Sequence, residues 1–445
     1  MSAVNETHDP KLRSWVASAN AAGADFPIQN LPFGVFNRLG ETARGGVAIG
    51  DQIFDLRAGA AAGVFEGDAL RAARAASGDD LAPLLALEPG PASALRRRLS
   101  ELLRDVGPGA ETARPLASQL LMRMPDAKML LPVGVRQFSD MCVSTFHIGR
   151  FQGNDERGEP ITPPVFRTLP VGYDGRASSV IVSGTPVRRP NGIWLAEGAT
   201  IPQFGPEPRQ DYELEVGIWF GGPGNTLGEP ISIQDAGLSI FGYCLLNDWS
   251  SRGIQMWETM LGPFLGKSLA TTISPWIVTA EALAPFRAPA FERPEGDPRT
   301  PGHLWCEDDQ AAGGIAIVLE ALIASAAMVR AGIAPHRVCQ TDFRQMYWTP
   351  AQMLAHHTSN GCAFAAGDLL GSGTCSGPTA EAAACLFEKL LAGPWRLPNG
   401  EVRTWLEDQD TVVLRGRAER EGYVSIGFGD ATGTIVPAHA VGPAT

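Results

Sequence analysis

The stretch Asp211-Tyr212-Glu213-Leu214-Glu215-Val216-Gly217-Ile218 decides how this chain is read. Acidic and apolar side chains alternate along it, and a β-strand turns successive side chains to opposite faces. The pattern predicts a strand with Glu213 and Glu215 on one face and Tyr212, Leu214 and Val216 on the other. Two outcomes are open to such a strand. Either the carboxylates line the solvated face of an antiparallel sheet, or they are buried and need a cation or shared protons to offset their repulsion. A divalent metal meets the second need.

Two further carboxylates extend the second possibility: Asp140 in Gln137-Phe138-Ser139-Asp140, and Asp248 after the apolar run Ile240-Phe241-Gly242-Tyr243-Cys244-Leu245-Leu246. Each, taken singly, also suits a turn or a helix cap. Four carboxylates without His or Cys among them form an all-oxygen donor set, suited to Mg²⁺ or Ca²⁺ rather than zinc. His147 lies seven positions after Asp140 among apolar neighbours, where a buried structural histidine and a functional one are both open. The adjacent pair His356-His357 diverges on a helix and chelates one ion poorly, so it is read as structural.

Outward from these residues, the 445-residue length gives a prior of two or three domains. Lys and Arg number 36 against 48 Asp and Glu, and the net charge of −12 repels phosphate backbones and anionic lipid. No nucleic acid or membrane partner is expected. With 44% hydrophobic and 19% charged residues the chain belongs with folded proteins rather than disordered ones. The 51 Gly and 35 Pro favour short strands and many turns. Seven scattered cysteines without a CxxC pair indicate a reducing compartment, and Met1 to Trp15 has no apolar stretch of the signal-peptide kind, so a cytoplasmic location is expected.

The texture changes near residues 125–132. Before it, Phe26 to Phe36 and Val47 to Leu56 are strand-like runs separated by glycines, and residues 67–123 carry Leu70, Ala73, Leu81, Leu84, Leu85, Leu95 and Leu102 at helical spacing. After it, strands are expected at Ser179–Ser183, Tyr212–Phe220, Ile273–Val278, Ile315–Leu322 and Thr411–Leu414, with helices at Gln255–Leu261 and Arg344–His357. Pro285 to Pro301 is expected to be a loop. The expected class is mainly β, in two domains, 1–130 and 131–445. Leu261 to Ser268 only superficially suggests a phosphate-binding loop, because Leu261 stands where the motif requires glycine. No GxSxG elbow and no GxGxxG fingerprint between a strand and a helix is present.

Longer motifs go further. Leu169-Pro170-Val171-Gly172-Tyr173-Asp174-Gly175-Arg176-Ala177-Ser178-Ser179, Ser183-Gly184-Thr185-Pro186, Glu213-Leu214-Glu215, Asn247-Asp248-Trp249-Ser250-Ser251-Arg252, Leu261 to Ser268, Ser359-Asn360-Gly361-Cys362 and Gly367-Asp368-Leu369-Leu370 together resemble the fumarylacetoacetate hydrolase family, over roughly residues 26–438. The resemblance implies an SH3-like N-terminal β domain with a helical insert, a larger C-terminal mixed β-roll, and a homodimer. It implies metal-dependent hydrolysis of a carbon–carbon bond in a β-diketone, giving fumarate and acetoacetate in tyrosine and phenylalanine breakdown. By matched position, Asp140, Glu213, Glu215 and Asp248 correspond to the metal carboxylates, and Lys267, Ala270 and Thr271 to a second cation-associated segment. His147 corresponds to the general base and Glu388 to the carboxylate that orients it. Arg252, Gln255 and Lys267 correspond to residues at the substrate or its leaving carbanion, and Tyr173 and Thr374 to substrate-binding positions.

The chain departs from the family pattern where Cys142 and Thr259 replace tyrosines, and where Glu156, beside Arg157, takes the place of a carboxylate-binding arginine. These positions bear on which acyl group is recognised, since a pocket that hydrogen-bonds its substrate discriminates through those contacts. Alternatives on the same fold are an acylpyruvate or other β-diketone hydrolase and an oxaloacetate decarboxylase. A non-catalytic binding protein with a structural carboxylate cluster is a reading of a different class, and a structural cluster has no need of His147, Glu388 and Lys267 together.

Overall fold

The computed structural model of the chain describes residues 3–38, 40–153, 156, 158, 161–390 and 393–441. Its spine is the strand Ile240–Asp248, whose apolar run has buried faces on both sides. Tyr243 and Leu245 point into one hydrophobic core and Cys244 and Leu246 into another, as period-two geometry requires. A strand covered on both faces reads as a continuous apolar run rather than an alternation.

From this spine the largest sheet extends in two directions. One way it passes Trp276–Thr279 to Phe33–Asn37, Arg44–Ile49, Gln52–Asp55 and Leu121–Arg123, which are the N-terminal strands. The other way it passes Leu214–Phe220, Leu369–Gly371, Phe138–Cys142 and Val171–Asp174. Most neighbours are antiparallel, but Leu369–Gly371 runs parallel to Phe138–Cys142, and Thr271–Ile273 parallel to Val180–Val182. A second sheet, built on Ile317–Ala324 and Thr411–Ala418, packs Leu319, Val412 and Leu414 into the first core.

The helices expected in residues 67–123 are present: Gly67–Ala75 and Pro89–Leu103 bury Ala73, Leu95, Leu99 and Leu102 against the N-terminal strands. Helix and strand contents are nearly equal, 29% and 27%, so the class is mixed α/β rather than mainly β. The excess of Gly and Pro lies in loops and single-turn elements more than in strands.

Two segments differ from expectation for identifiable reasons. The run Ile273–Val278 divides into Thr271–Ile273 and Trp276–Thr279, with Ser274-Pro275 between them, because proline has no N–H for the ladder. The helix expected at Arg344–His357 begins only at Pro350. Thr349 caps it in a reciprocal box with Gln352, and proline fits the first helical turn but not an interior position.

Candidate active site

Strand register gathers the acidic residues. Asp248 ends its strand opposite Thr271, Glu215 pairs with Leu246, Gly217 with Gly371, Gly371 with Asp140, and Asp140 with Tyr173. Adjacent strands therefore present Asp248, Glu215, Asp140 and Tyr173 side by side, although they are far apart in sequence. The carboxylates are buried, not on a solvated face: exposure is 0% for Glu215 and Asp248 and 4% for Glu213 and Asp140.

Buried carboxylates need partners, and three cations supply most of them. Lys267 Nζ lies 2.5 Å from Glu213 Oε2 and 2.6 Å from Asp248 Oδ2. Arg252 Nη2 lies 2.8 Å from both Glu213 Oε1 and Asp211 Oδ2, and its Nη1 donates to Gln255 Oε1. Arg176 donates to Asp140 Oδ2 at 2.8 Å and to Asp248 Oδ1 at 2.5 Å. Among the described residues, five carboxylates, counting Asp211, thus face these three cations, two fewer than one-to-one pairing requires.

The imbalance shows in the acidities. Burial, and then the charge of Asp248, pushes Asp140 up to about 7. Glu215 is raised well above the ordinary carboxylate range by burial and by Asp140 and Asp248. At Glu213 burial opposes ionisation, but Lys267 and Arg252 outweigh it and hold the group low. Asp248 is likewise lowered, with Arg176 and Lys267 outweighing its burial.

The donor set fits a hard cation. Asp140 Oδ1 and Glu215 Oε1 are buried with no hydrogen-bond partner among the described residues. Ligand oxygens of Asp140, Glu215 and Asp248 lie within 4.8 Å of one another. Gly371 keeps the space open: a Cβ there would stand 2.8 Å from Asp140 Oδ1 and 3.1 Å from Glu215 Oε2. Both oxygens of Glu213 are engaged, by Lys267 and Arg252, as both of Asp248 are by Arg176 and Lys267. Thr271 donates to Asp248 Oδ1 at 3.3 Å, and Ala270 is buried next to it.

A second arrangement lies alongside. His147, on the helix Thr145–Gln152, has Nδ1 2.7 Å from Glu388 Oε1, and both residues are buried. Glu388 also accepts from Ser376 Oγ at 2.6 Å and from Arg150 Nη1. Burial opposes its ionisation, but His147, Arg150 and Ser376 together hold Glu388 below the usual range. His147 Nε2 makes no hydrogen bond among the described residues, and the charge of His147 acts on Glu213.

Of the other expected positions, Tyr173 donates to Asp140 Oδ2 at 3.0 Å, Thr374 is buried just beyond Gly371, and Cys142 is half-buried at its strand's end. Thr259 is exposed after the helix Arg252–Glu258, and Arg157 lies outside the described residues. His356 and His357 join no group able to hold an ion among the described residues; His357 Nε2 instead meets Ser139 Oγ at 2.6 Å.

Sequence reasoning missed Arg176, Asp211 and Arg150. Arg176 stood inside a quoted motif without a role. Asp211 has the same parity as Glu213 and Glu215, a legible signal; it accepts the Leu386 and Phe387 N–H groups at 2.8 and 3.1 Å and thereby fixes the start of the helix bearing Glu388. Arg150, one helical turn after His147, had only its i+3 spacing to mark it.

The mixed-sheet C-terminal domain with its buried acidic cluster matches the fumarylacetoacetate hydrolase C-terminal family over residues 151–436, and residues 29–132 match the fumarylacetoacetase N-terminal family. The chain is 43% identical to the fumarylacetoacetase of Oryza sativa over 96% of its length and 98% of the relative's. It is 42% identical to that of Caenorhabditis elegans (93% and 97% covered) and 40% identical to that of Homo sapiens (94% and 98%). The chain belongs to the fumarylacetoacetase family.

Proposed function

We propose that this protein hydrolyses fumarylacetoacetate to fumarate and acetoacetate. The observation that carries the reading is the joining, in one buried site, of a carboxylate triad whose Asp140 and Glu215 each keep an unpaired oxygen, a His–Glu pair and a lysine, in a chain that aligns with its fumarylacetoacetase relatives over nearly their whole length.

Asp140, Glu213, Glu215 and Asp248, with Lys267 and Thr271 beside them, would hold a divalent ion, Mg²⁺ or Ca²⁺, and the chemistry it would supply there is Lewis-acid polarisation of a diketone carbonyl. His147 takes a proton from water through Nε2 as the oxygen adds to the fumaryl carbonyl carbon. Glu388 holds the Nδ1 proton and stabilises the imidazolium that forms, the role of the acid in hydrolase triads. The carbon–carbon bond then breaks, its electron pair leaves on acetoacetate as an enolate, and His147 returns the proton to that carbon. Lys267, Arg252 and Gln255 stand where the negative charge develops. Tyr173, Thr374 and Cys142 line the substrate position. Lys267 reaches its place already charged: Asp248 and Glu213 outweigh the burial that opposes its ionisation.

The same reading takes residues 1–130 as an SH3-like barrel with a helical insert and residues 131–445 as a catalytic β-roll, in a cytoplasmic homodimer. No helix among the described residues is long and apolar enough to cross a membrane. The test is the loss of diketone absorbance when purified protein meets fumarylacetoacetate, with EDTA and with Mg²⁺ restored. Fast decay that EDTA abolishes and Mg²⁺ restores is expected. Cleavage of acylpyruvates or decarboxylation of oxaloacetate in place of this reaction would move the assignment to those activities, and no turnover of any of them would leave a binding protein.

A further inference from the structure

Arg176 is unusual in both backbone and side chain. It adopts φ 59° and ψ 25°, the left-handed region that a long non-glycine residue enters at a cost of about 1–3 kcal/mol. Ser179 holds this turn, its N–H and hydroxyl donating to the Arg176 carbonyl at 2.9 and 2.7 Å. The turn sends the guanidinium inward to 7% side-chain exposure, over the rings of Phe138 (5.0 Å) and Tyr173 (5.2 Å). There its two terminal nitrogens divide between the two carboxylates. Nη1 donates to Asp248 Oδ1, Thr271 Oγ1 and the Lys267 carbonyl; Nη2 donates to Asp140 Oδ2, Asp248 Oδ2 and the Tyr173 hydroxyl.

One consequence is geometric. With Oδ2 of Asp140 engaged by Arg176 and Tyr173, the unpaired oxygen is Oδ1, the atom nearest the space that Gly371 leaves open. Asp248 is bridged at both oxygens, so neither aspartate can rotate without breaking charged hydrogen bonds. A rigid, planar fork stacked on aromatic rings does this; a lysine carries the charge but not the fork.

We propose that Arg176 is the positioning residue of the divalent-ion site, locking Asp140 and Asp248 in a close arrangement that favours a small ion over a large one. The proposal rests on the metal-dependent reading above. Mg²⁺ demands near-octahedral geometry at short distances, whereas Ca²⁺ accepts variable geometry, so loosening the two aspartates penalises Mg²⁺ more.

The test is calorimetric titration of chelator-stripped full-length protein with Mg²⁺ and, separately, Ca²⁺, for wild type, Arg176→Lys and Tyr173→Phe, with circular dichroism in EDTA to check folding. Loss of outer contacts at metal sites typically costs about 10–100-fold in affinity. Arg176→Lys is expected to weaken Mg²⁺ by at least about tenfold, and Ca²⁺ by no more than about threefold. Tyr173→Phe, which leaves the arginine in place but removes one of its partners, is expected to move the ratio the same way by less, and it keeps the test open if the lysine variant misfolds. Unchanged Mg²⁺ affinity in a folded variant, or an equal loss for both ions, would overturn the proposal. Wild-type protein that binds neither ion would defeat the metal-dependent reading itself, and this inference with it.

Discussion

Replacing Glu388 by Gln separates catalytic orientation from simple packing. The carboxylate is 2% exposed and accepts from His147 Nδ1 at 2.7 Å, Ser376 Oγ at 2.6 Å, Cys385 Sγ at 3.4 Å and Arg150 Nη1. Glutamine keeps one acceptor oxygen but sets an amide NH₂ against either Arg150 or His147. Removing one member of a buried charged pair costs about 3–5 kcal/mol. Arg150 retains the carbonyls of Gly377 (2.7 Å) and Thr379 (2.5 Å) and is 17% exposed, so the lower end, about 3 kcal/mol, is expected. The rate should suffer comparably: an imidazole without its orienting anion loses general-base efficiency of about 10²–10⁴, or about 3–5 kcal/mol of barrier. Steady-state turnover of fumarylacetoacetate should show this loss in kcat with KM little changed, because Glu388 is covered by His147 rather than facing substrate. The pH dependence follows in sign. Glu388 is held below its ordinary 4.5, so its contribution to stability is complete above that pH and is lost as the pH falls further. The melting-temperature gap between wild type and the variant should close below pH 4.5. Turnover within about threefold of wild type, in a folded variant that still binds Mg²⁺, would refute the orienting role.

His147→Ala is expected to cost at least as much in kcat as Glu388→Gln, with Mg²⁺ binding retained by calorimetry; unchanged turnover would remove it as the base. Gly371→Ala should fold but lose divalent affinity by about 10–100-fold, since the added methyl crowds Asp140 Oδ1 and Glu215; titration with Mg²⁺ decides it. Lys267→Met leaves Glu213 and Asp248 short of a buried cation, and denaturant unfolding should register a loss of about 3–5 kcal/mol. The same variant should lose about 10²–10³ in kcat if Lys267 meets the leaving enolate.

Local rules reached some of this site and stopped where contacts become long-range. Period-two alternation assigned Glu213 and Glu215 to one face, and Asp211 keeps that parity, meeting Arg252 as Glu213 does, although the strand itself runs only over Leu214–Phe220 and Asp211 belongs to the separate short strand Gln210–Asp211. Whether that face met water or a core depended on the neighbours that cover it, which alternation does not encode. The apolar run before Asp248 similarly foretold a strand, while its burial on both faces followed from two cores meeting across it. Pro350 and Thr349 show local chemistry overriding a longer periodic pattern, since a proline suits a helix start and not its interior.

The amino-acid sequence by itself determined the family, through its long motifs, and the resemblance then nominated residues for the metal, the base and the leaving group. The tertiary structure alone decided how they meet. His147 and Glu388 are 241 positions apart, Lys267 and Glu213 are 54 apart, and Arg176 reaches Asp140 and Asp248 across 36 and 72. It also decided which oxygens are left over: Asp140 Oδ1 and Glu215 Oε1 have no partner among the described residues, whereas both oxygens of Glu213 and of Asp248 are engaged by cations. The physical reason is that a strand's sequence fixes which way a side chain points, whereas its charge partners and its burial are set by the strands, turns and helices that register brings beside it.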